Sequence, residues 1–187
     1  MNRDEAWTLL CEYTKSESLR KHGLAVEAAM RAYATRYGED EETWGTVGLL
    51  HDFDYEIHPT LDKHPAEGAR ILREKGVPED IIYAVLCHAD HLGLERKTPM
   101  DKAIYAVDEL TGMITAVALV KPGKSIDEVD FRSVRKKMKD KAFARSVSRE
   151  DIIKGAEQLG VNLDEHIATV IDGLRPVAGA LGIAGRV

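Results

Sequence analysis

The hydrophobic and polar positions of the chain repeat with a helical period along most of its length. Apolar residues recur every three or four positions, as on the buried face of an amphipathic helix. The alternation of single apolar and polar residues that predicts a strand is not found. The first two predicted helices cover residues 4–14 and 18–37, with Ser18 as the cap of the second and Gly38 as its stop.

The later helices are predicted from the same period and from capping residues. They begin at Asp40 or Glu41 (EETWGTVGLLHDF), run over about 64–75 and 79–89, extend from Pro99 to about residue 120, and cover 148–159 and 163–181 with an interruption near Pro176. Ser148 and Asp151 have the spacing of a capping box. The pattern predicts an all-α fold, with a main helical domain over 1–120 and a C-terminal helical extension over 121–187 packed on the same core.

Composition narrows the class of protein. The chain has 187 residues, of which 44% are hydrophobic and 31% charged, and this suits one globular domain. No apolar run approaches the ~20 residues that span a bilayer, and the start, MNRDEAWTLLCEY, lacks the apolar region of a signal peptide. Two cysteines fit a reducing compartment. We therefore expect a cytoplasmic protein without membrane association, and the net charge of -6 disfavours general nucleic-acid binding.

Histidines are concentrated in the first half of the chain. Six of the seven fall between residues 22 and 91, namely His22, His51, His58, His64, His88 and His91. A single histidine is usually a surface or core residue, but this group, together with Asp52 and Asp108, suggests a metal site where helices converge. Imidazole and carboxylate ligands suit Mn, Fe, Co, Ni or Zn. The sequence separations match no local ligand rule, so this hypothesis depends on residue types alone.

The motifs around these residues resemble those of the HD-domain metal-dependent phosphohydrolases. The matching stretches are RKHGLAVE with His22, LLHDFDYE with His51 and Asp52, HPAEGARIL from His64, VLCHAD around His88, and YAVDELTG with Asp108. The resemblance covers about residues 18–120 and implies a single helical HD-domain bundle. It implies His22, His51, Asp52 and Asp108 as primary metal ligands, with His64 and His88 holding a second ion that Asp52 bridges. His58 and His91 would either substitute for one of these two histidines or simply line the cleft.

The activity implied by the resemblance is hydrolysis by metal-activated water. One or two divalent transition ions are expected as cofactor, and a small phosphorylated molecule, with a nucleotide first among the candidates, as substrate. Phosphomonoester and phosphodiester cleavage both fit. Asp52 and Asp54 are the candidate catalytic residues. Asp54 stands where the common HDIG wording has glycine; it would orient the water or an outer-shell imidazole, unless it is simply an acid at a helix end. The GYP stretch of the cyclic di-GMP-hydrolysing branch is missing after His88.

Basic residues supply candidate phosphate contacts. Arg20 and Lys63 lie beside predicted ligands, and the basic stretch 131–145 places Arg132, Arg135, Lys136 and Lys139 on one side of a helix. The alternative for each is a solvated charge.

Three other functions remain open from the sequence. A di-iron oxygenase of HD type uses similar ligands, and a non-catalytic sensor would bind a nucleotide in the same pocket. An RNA-binding role for the basic stretch is disfavoured by the net acidity and by the lack of clustered aromatic residues. The last apolar residues, Val177, Leu181 and Ile183, would serve either a homodimer or the core. His166 lies outside the pattern and is taken as an ordinary helix residue.

Overall fold

A computed structural model describes residues 1–185, and the predicted all-α fold is confirmed. The helices are α1 (Arg3–Tyr13), α2 (Glu17–Tyr37), α3 (Glu41–Leu50), α4 (Ala66–Glu74), α5 (Glu79–Cys87), α6 (Pro99–Leu119), α7 (Phe131–Met138), α8 (Arg149–Leu159), α9 (Leu163–Leu174) and α10 (Ala178–Leu181). Short 3-10 turns cover Asp90–Leu92, Ile126–Glu128 and Arg175–Val177. Within the described residues, β structure is limited to one isolated bridge between Ser125 and Ala184. No helix among them is both long and apolar enough to cross a bilayer.

Two capping predictions differ from the structure. Helix α2 is capped by Ser16, whose side chain accepts from the backbone N–H of Leu19, and not by Ser18. The Ser18 hydroxyl lies in the first turn and pairs with that of Ser16 at 2.9 Å. Ser148 does cap α8, but its own N–H donates to Glu109 at 2.8 Å, so the reciprocal half of the predicted capping box has lost its donor.

The core is built around α2 and α6, which are both 21 residues long. Helices α3 and α5 pack beside them, α8 packs on α6, and α9 packs on α2. Met30, Leu50, Leu110 and Ile114 are fully buried where these helices meet. The apolar face of each helix supplies these contacts, as its 3.6-residue period requires.

The C-terminal segment shares this core. Ile152 of α8 and Ile167 of α9 belong to the same buried cluster as the side chains of α2 and α6. Leu181 and Ile183 are also buried in it and Val177 is partly buried, so the structure places these three residues with the core. Residues 186 and 187 of the predicted extension lie outside the described residues.

The close crossing of α2 and α3 depends on Gly48. A Cβ atom added at this position would lie 2.8 Å from the Cα atom of Glu27, inside any normal contact distance. The missing side chain therefore lets the two helix backbones approach, and this brings the end of α3 close to the middle of α2.

Candidate metal centre

Six polar side chains from four helices and two turns meet between α2 and α6. Residues at or just beyond helix ends supply most of them, because there the backbone can turn side chains inward. They are His22 in α2, His51 at the end of α3, Asp52 in the turn after it, His64 before α4, His88 at the end of α5 and Asp108 in α6.

The first group of ligand atoms comes from His22, His51 and Asp108. The Nε2 atom of His22 lies 3.0 Å from Oδ1 of Asp108 and 3.2 Å from Nε2 of His51. The His51 Nε2 atom is 3.5 Å from the same carboxylate oxygen. Three potential ligand atoms thus converge within the separation that one metal ion would bridge.

The second group comes from His64, His88 and Asp52. The Nε2 atoms of the two histidines lie 3.1 Å apart, and they are 3.1 Å and 3.3 Å from Oδ1 of Asp52. The other Asp52 oxygen, Oδ2, faces the first group, at 3.4 Å from His51 Nε2 and 3.7 Å from His22 Nε2. The Asp52 carboxylate therefore lies between the two groups and presents one oxygen to each.

Contacts on the far side of the imidazole rings set their tautomers. The Nδ1 atom of His51 lies 2.8 Å from the Gly48 carbonyl oxygen, and that of His88 lies 2.6 Å from the Val85 carbonyl oxygen. A carbonyl oxygen only accepts hydrogen bonds, so both Nδ1 atoms carry the proton and donate. The Nε2 lone pairs then point into the cluster, as metal-binding histidines require.

The electrostatics of the cluster favour positive charge. Burial opposes protonation of His51, but the Asp52 and Asp108 carboxylates outweigh it and raise the His51 pKa well above its ordinary value. Burial likewise opposes protonation of His64, whose pKa the hydrogen bonds and charges of Asp52 and Asp54 raise to about 9. The pKa of Asp52 is lowered against the effect of burial, chiefly by His51. The carboxylates that favour a proton on these rings would equally favour a divalent cation in its place, and mixed imidazole and carboxylate donors suit Mn, Fe, Co, Ni or Zn.

Comparison with known proteins gives the family. The sequence profile of the HD domain matches residues 19–113, about half of the chain, and the match includes all six of these residues. The chain belongs to the HD domain family. Such domains form a superfamily of metal-dependent phosphohydrolases that bind divalent metals, and the resemblance seen in the sequence is confirmed.

The curated proteins similar to this HD domain include several called Ribonuclease Y. Those of Oleidesulfovibrio alaskensis and Nitratidesulfovibrio vulgaris are 29% and 31% identical over 98 residues, and that of Desulfotalea psychrophila is 28% identical over 97. These matches cover 51–52% of this chain but only 18% of each relative, so the matched region is less than a fifth of the length of those proteins. No solved structure matches significantly.

Asp54, the position where this HD domain departs from the common wording, lies behind the cluster. Its side chain is fully buried. One carboxylate oxygen accepts from His64 Nδ1 at 2.9 Å and the other accepts from the Gly68 N–H at 3.0 Å. A Cβ atom at Gly68 would lie 2.7 Å from the Asp54 carboxyl carbon, so glycine makes room for this contact. Asp54 therefore reaches the cluster through the His64 ring.

The candidate phosphate-binding residues either pair with groups outside the cluster or are exposed to solvent. Arg20 donates to the carbonyl oxygens of Thr14 and Cys11, which ties α2 to the end of α1. Lys63 is exposed in the turn beside His64. In α7 and at its end, Arg132, Arg135, Lys136 and Lys139 are exposed, and Arg135 pairs with Asp164 at 3.2 Å. Among the described residues, no hydrogen bond or ion pair joins any of these six to the cluster.

The remaining histidines lie outside both ligand groups. His91 is exposed in the turn after α5, and His58 is half-buried, with a buried Nδ1 that has no hydrogen-bond partner among the described residues. His166 is completely buried instead of being an ordinary helix residue. Its Nδ1 atom accepts from the Tyr33 hydroxyl at 2.6 Å, and its Nε2–H donates to the Ala106 carbonyl oxygen at 2.9 Å. It joins α9 to both long helices.

Arg96 supports the site, although no motif or period in the sequence indicates this role. Arg96 follows α5 in a loop, and its guanidinium lies 3.5 Å from the centre of the Tyr105 ring. It donates to the carbonyl oxygen of Cys87, the residue before His88, and to Gln158 and Asp90. These contacts fix the end of the helix that carries His88.

Proposed function

We propose that this HD domain is a phosphohydrolase that cleaves a phosphomonoester or phosphodiester of a small phosphorylated molecule, with a nucleotide as the first candidate. The observation that carries this proposal is the position of Asp52, with one oxygen directed at each of two histidine groups. A carboxylate between two sets of ligands is the arrangement of a two-ion hydrolytic site. A non-catalytic binding module would not need the complete set of metal ligands.

The ligand roles follow from the two groups of atoms. His22, His51 and Asp108 would hold one ion with Oδ2 of Asp52, and His64 and His88 would hold the other with Oδ1. Metal bound there would lower the pKa of water towards ~7 and neutralise phosphate oxygens in the transition state. The protein contributes a preorganised set of donors, in which backbone carbonyls fix the tautomers of His51 and His88 and the Asp54 carboxylate fixes that of His64.

Asp54 acts in this proposal as a positioning residue. By accepting the Nδ1 proton of His64, its carboxylate fixes the ring so that Nε2 faces into the cluster, beside Oδ1 of Asp52. The same contact makes the ring a stronger ligand. Of the two roles considered for Asp54, the geometry favours the orientation of an outer-shell imidazole, because both of its oxygens already accept hydrogen bonds from protein groups.

RNA is the second candidate substrate. It is favoured by one observation, the similarity to proteins named Ribonuclease Y, whose name describes cleavage of RNA phosphodiesters. Residues Arg132, Arg135, Lys136 and Lys139 would then provide an exposed cationic surface for the backbone. Lys63 and Arg20 are the candidates for contacts nearer the metal site.

The deciding experiment combines metal analysis with a panel of substrates. Purified protein should contain one or two transition ions per chain, and should release phosphate or nucleoside monophosphate from a panel of mononucleotides, dinucleotides and a short RNA. Asp52→Asn and His51→Ala should abolish this activity. His91→Ala is the matched control, because His91 is exposed and lies outside both ligand groups.

The same panel separates the alternatives. Turnover that survives in both ligand variants would show that the reaction occurs elsewhere. Nucleotide binding without turnover, in protein loaded with Mn or Fe, would favour the sensor. Oxygen consumption by the iron-loaded protein, with no release of phosphate, would favour the di-iron oxygenase.

A further inference from the structure

A cavity of about 400 Å³ opens beside the metal centre, and His22 forms part of its wall. It lies between α2, α6 and α10. Its lining includes Ser18, Lys21 and His22 of α2, Gly112, Thr115 and Ala116 of α6, and Leu181 of α10. Its volume is within the range of small-molecule sites, which is roughly 300–1,000 Å³.

The cavity lies along the same faces of α2 and α6 that carry the candidate metal ligands His22 and Asp108. On α6, Gly112, Thr115 and Ala116 follow Asp108 at helical spacing and share its face. On α2, Ser18 lies four residues before His22 and Ala25 three residues after it, so they share its face, and Lys21 lies at the edge of that face. A molecule with one end at the His22–Asp108 pair would therefore extend directly into this cavity.

The lining is mostly apolar and is made of unusually small side chains. Gly112 is the clearest case, because a Cβ atom there would meet only Val147 Cγ2, at an ordinary 3.5 Å. Packing therefore does not require glycine, which is less favourable than alanine inside a helix. With Ala116 one turn later, Gly112 keeps the wall of the cavity flat and open.

The polar groups of the lining are few. Among the lining residues within 1–185, Lys21 is the one lysine or arginine, and its ammonium group pairs at 2.6 Å with Glu17, which is largely exposed. Ser18 and Thr115 add hydroxyl groups. An apolar cavity with a small number of donors suits a flat heterocycle that carries acceptor atoms on its edge.

The geometry points to this cavity as the subsite for the nucleoside part of the substrate, with Gly112 and Lys21 as specificity-determining residues. The inference rests on the proposed function, since it takes the phosphate to lie at the His22–Asp108 end. A nucleobase would lie against Gly112 and Ala116, and the hydrogen-bond donors of Lys21 and the two hydroxyl groups would face its acceptor atoms.

The first test measures binding without chemistry. Adenosine and uridine, which carry no phosphate, are titrated into metal-free protein and followed by calorimetry and by amide NMR shifts. We expect at least one of them to bind and to shift the amides of Gly112 and Ala116. Gly112→Leu should weaken that binding by at least about tenfold. Gly179→Leu is the matched control, because Gly179 lies in α10 with open space around it and outside the lining.

The second test separates recognition from catalysis. The ratio of kcat/KM for a nucleoside monophosphate to that for methyl phosphate should fall at least about tenfold in Gly112→Leu, mainly through KM, and should be unchanged in Gly179→Leu. Ala116→Leu should act in the same direction. If Gly112→Leu does not fold, Ala116→Leu and the milder Gly112→Ala provide the same comparison.

The possible outcomes distinguish the two proposals. If neither nucleoside binds the wild-type protein, or if Gly112→Leu and Ala116→Leu bind as tightly as wild type, the subsite is refuted whatever the enzyme hydrolyses. If binding depends on Gly112 but no phosphate ester is cleaved, the proposed function fails and the subsite stands.

Discussion

The buried position of His166 predicts a specific loss of stability in acid. This ring bridges Tyr33 and the Ala106 carbonyl oxygen, and it can accept from one and donate to the other only when it is neutral. Burial lowers its pKa from 6.5 to about 4, against the weaker opposite effect of the hydrogen bond to Ala106. Protonation would put a charge in the core and turn the acceptor for Tyr33 into a donor.

The sign and size of the effect follow from linkage. Between the two pKa values the unfolded chain binds a proton that the folded chain does not, so the free energy of unfolding falls as the pH drops below 6.5. Each pKa unit is worth about 1.4 kcal/mol, which gives a total of about 3 kcal/mol once the pH reaches the folded pKa. Between about pH 7.5 and about pH 5 the expected loss from this residue is about 2 kcal/mol.

The assay is urea unfolding followed by circular dichroism at both pH values, on metal-free protein, so that metal binding does not contribute. His166→Gln replaces the ring with a neutral amide that cannot titrate, and its stability should fall by about 2 kcal/mol less than that of wild type over the interval. His91→Gln, at an exposed position, should follow wild type. The explanation would be refuted if His166→Gln lost as much stability in acid as wild type does.

Three further predictions follow from the helix crossing and the metal centre. Gly48→Ala should lower the free energy of unfolding by about 1–3 kcal/mol in urea, since its Cβ atom would lie 2.8 Å from the backbone of α2; unchanged stability would mean that the crossing is not tight. Asp54→Asn should weaken binding of one metal ion by about 10–100-fold in calorimetry, because it disturbs the acceptor for His64, and should leave a second, tighter ion in place; equal weakening of both ions would count against separate groups. Mn or Fe at about a hundredfold excess over Kd should raise the free energy of unfolding by about 2.7 kcal/mol, and Asp52→Asn should remove most of this gain; a gain that persists in the variant would contradict the shared position of Asp52.

Much of the fold could be predicted from the sequence because helix boundaries depend on local chemistry. Asp40 caps α3 through a 2.7 Å contact to the Thr43 N–H, and Gly38 ends α2 in a left-handed conformation, both as expected. The prediction that Ser18 caps α2 was wrong, because Ser16 and Ser18 are equally suitable capping residues in the sequence. Only the packing of the first turn decides between them.

The site could be predicted in part, because the order of His22, His51, Asp52 and Asp108 along the chain carries the family motif. The structure brings these side chains within 3.0–3.7 Å of His22. The contacts that support these side chains could not be predicted from the sequence. Arg96 and His166 interact with residues far away in the sequence, and no local period or cap indicates such partners.

The shared position of Asp52 has a consequence for how the centre would fill. Because its two oxygens face different histidine groups, an ion bound by one group would fix the rotamer of the carboxylate and present the remaining oxygen to the other. The entropic cost of ordering this side chain would be met once, by the first ion. Binding of the first ion should therefore ease the binding of the second, and Asp52→Asn should remove this coupling.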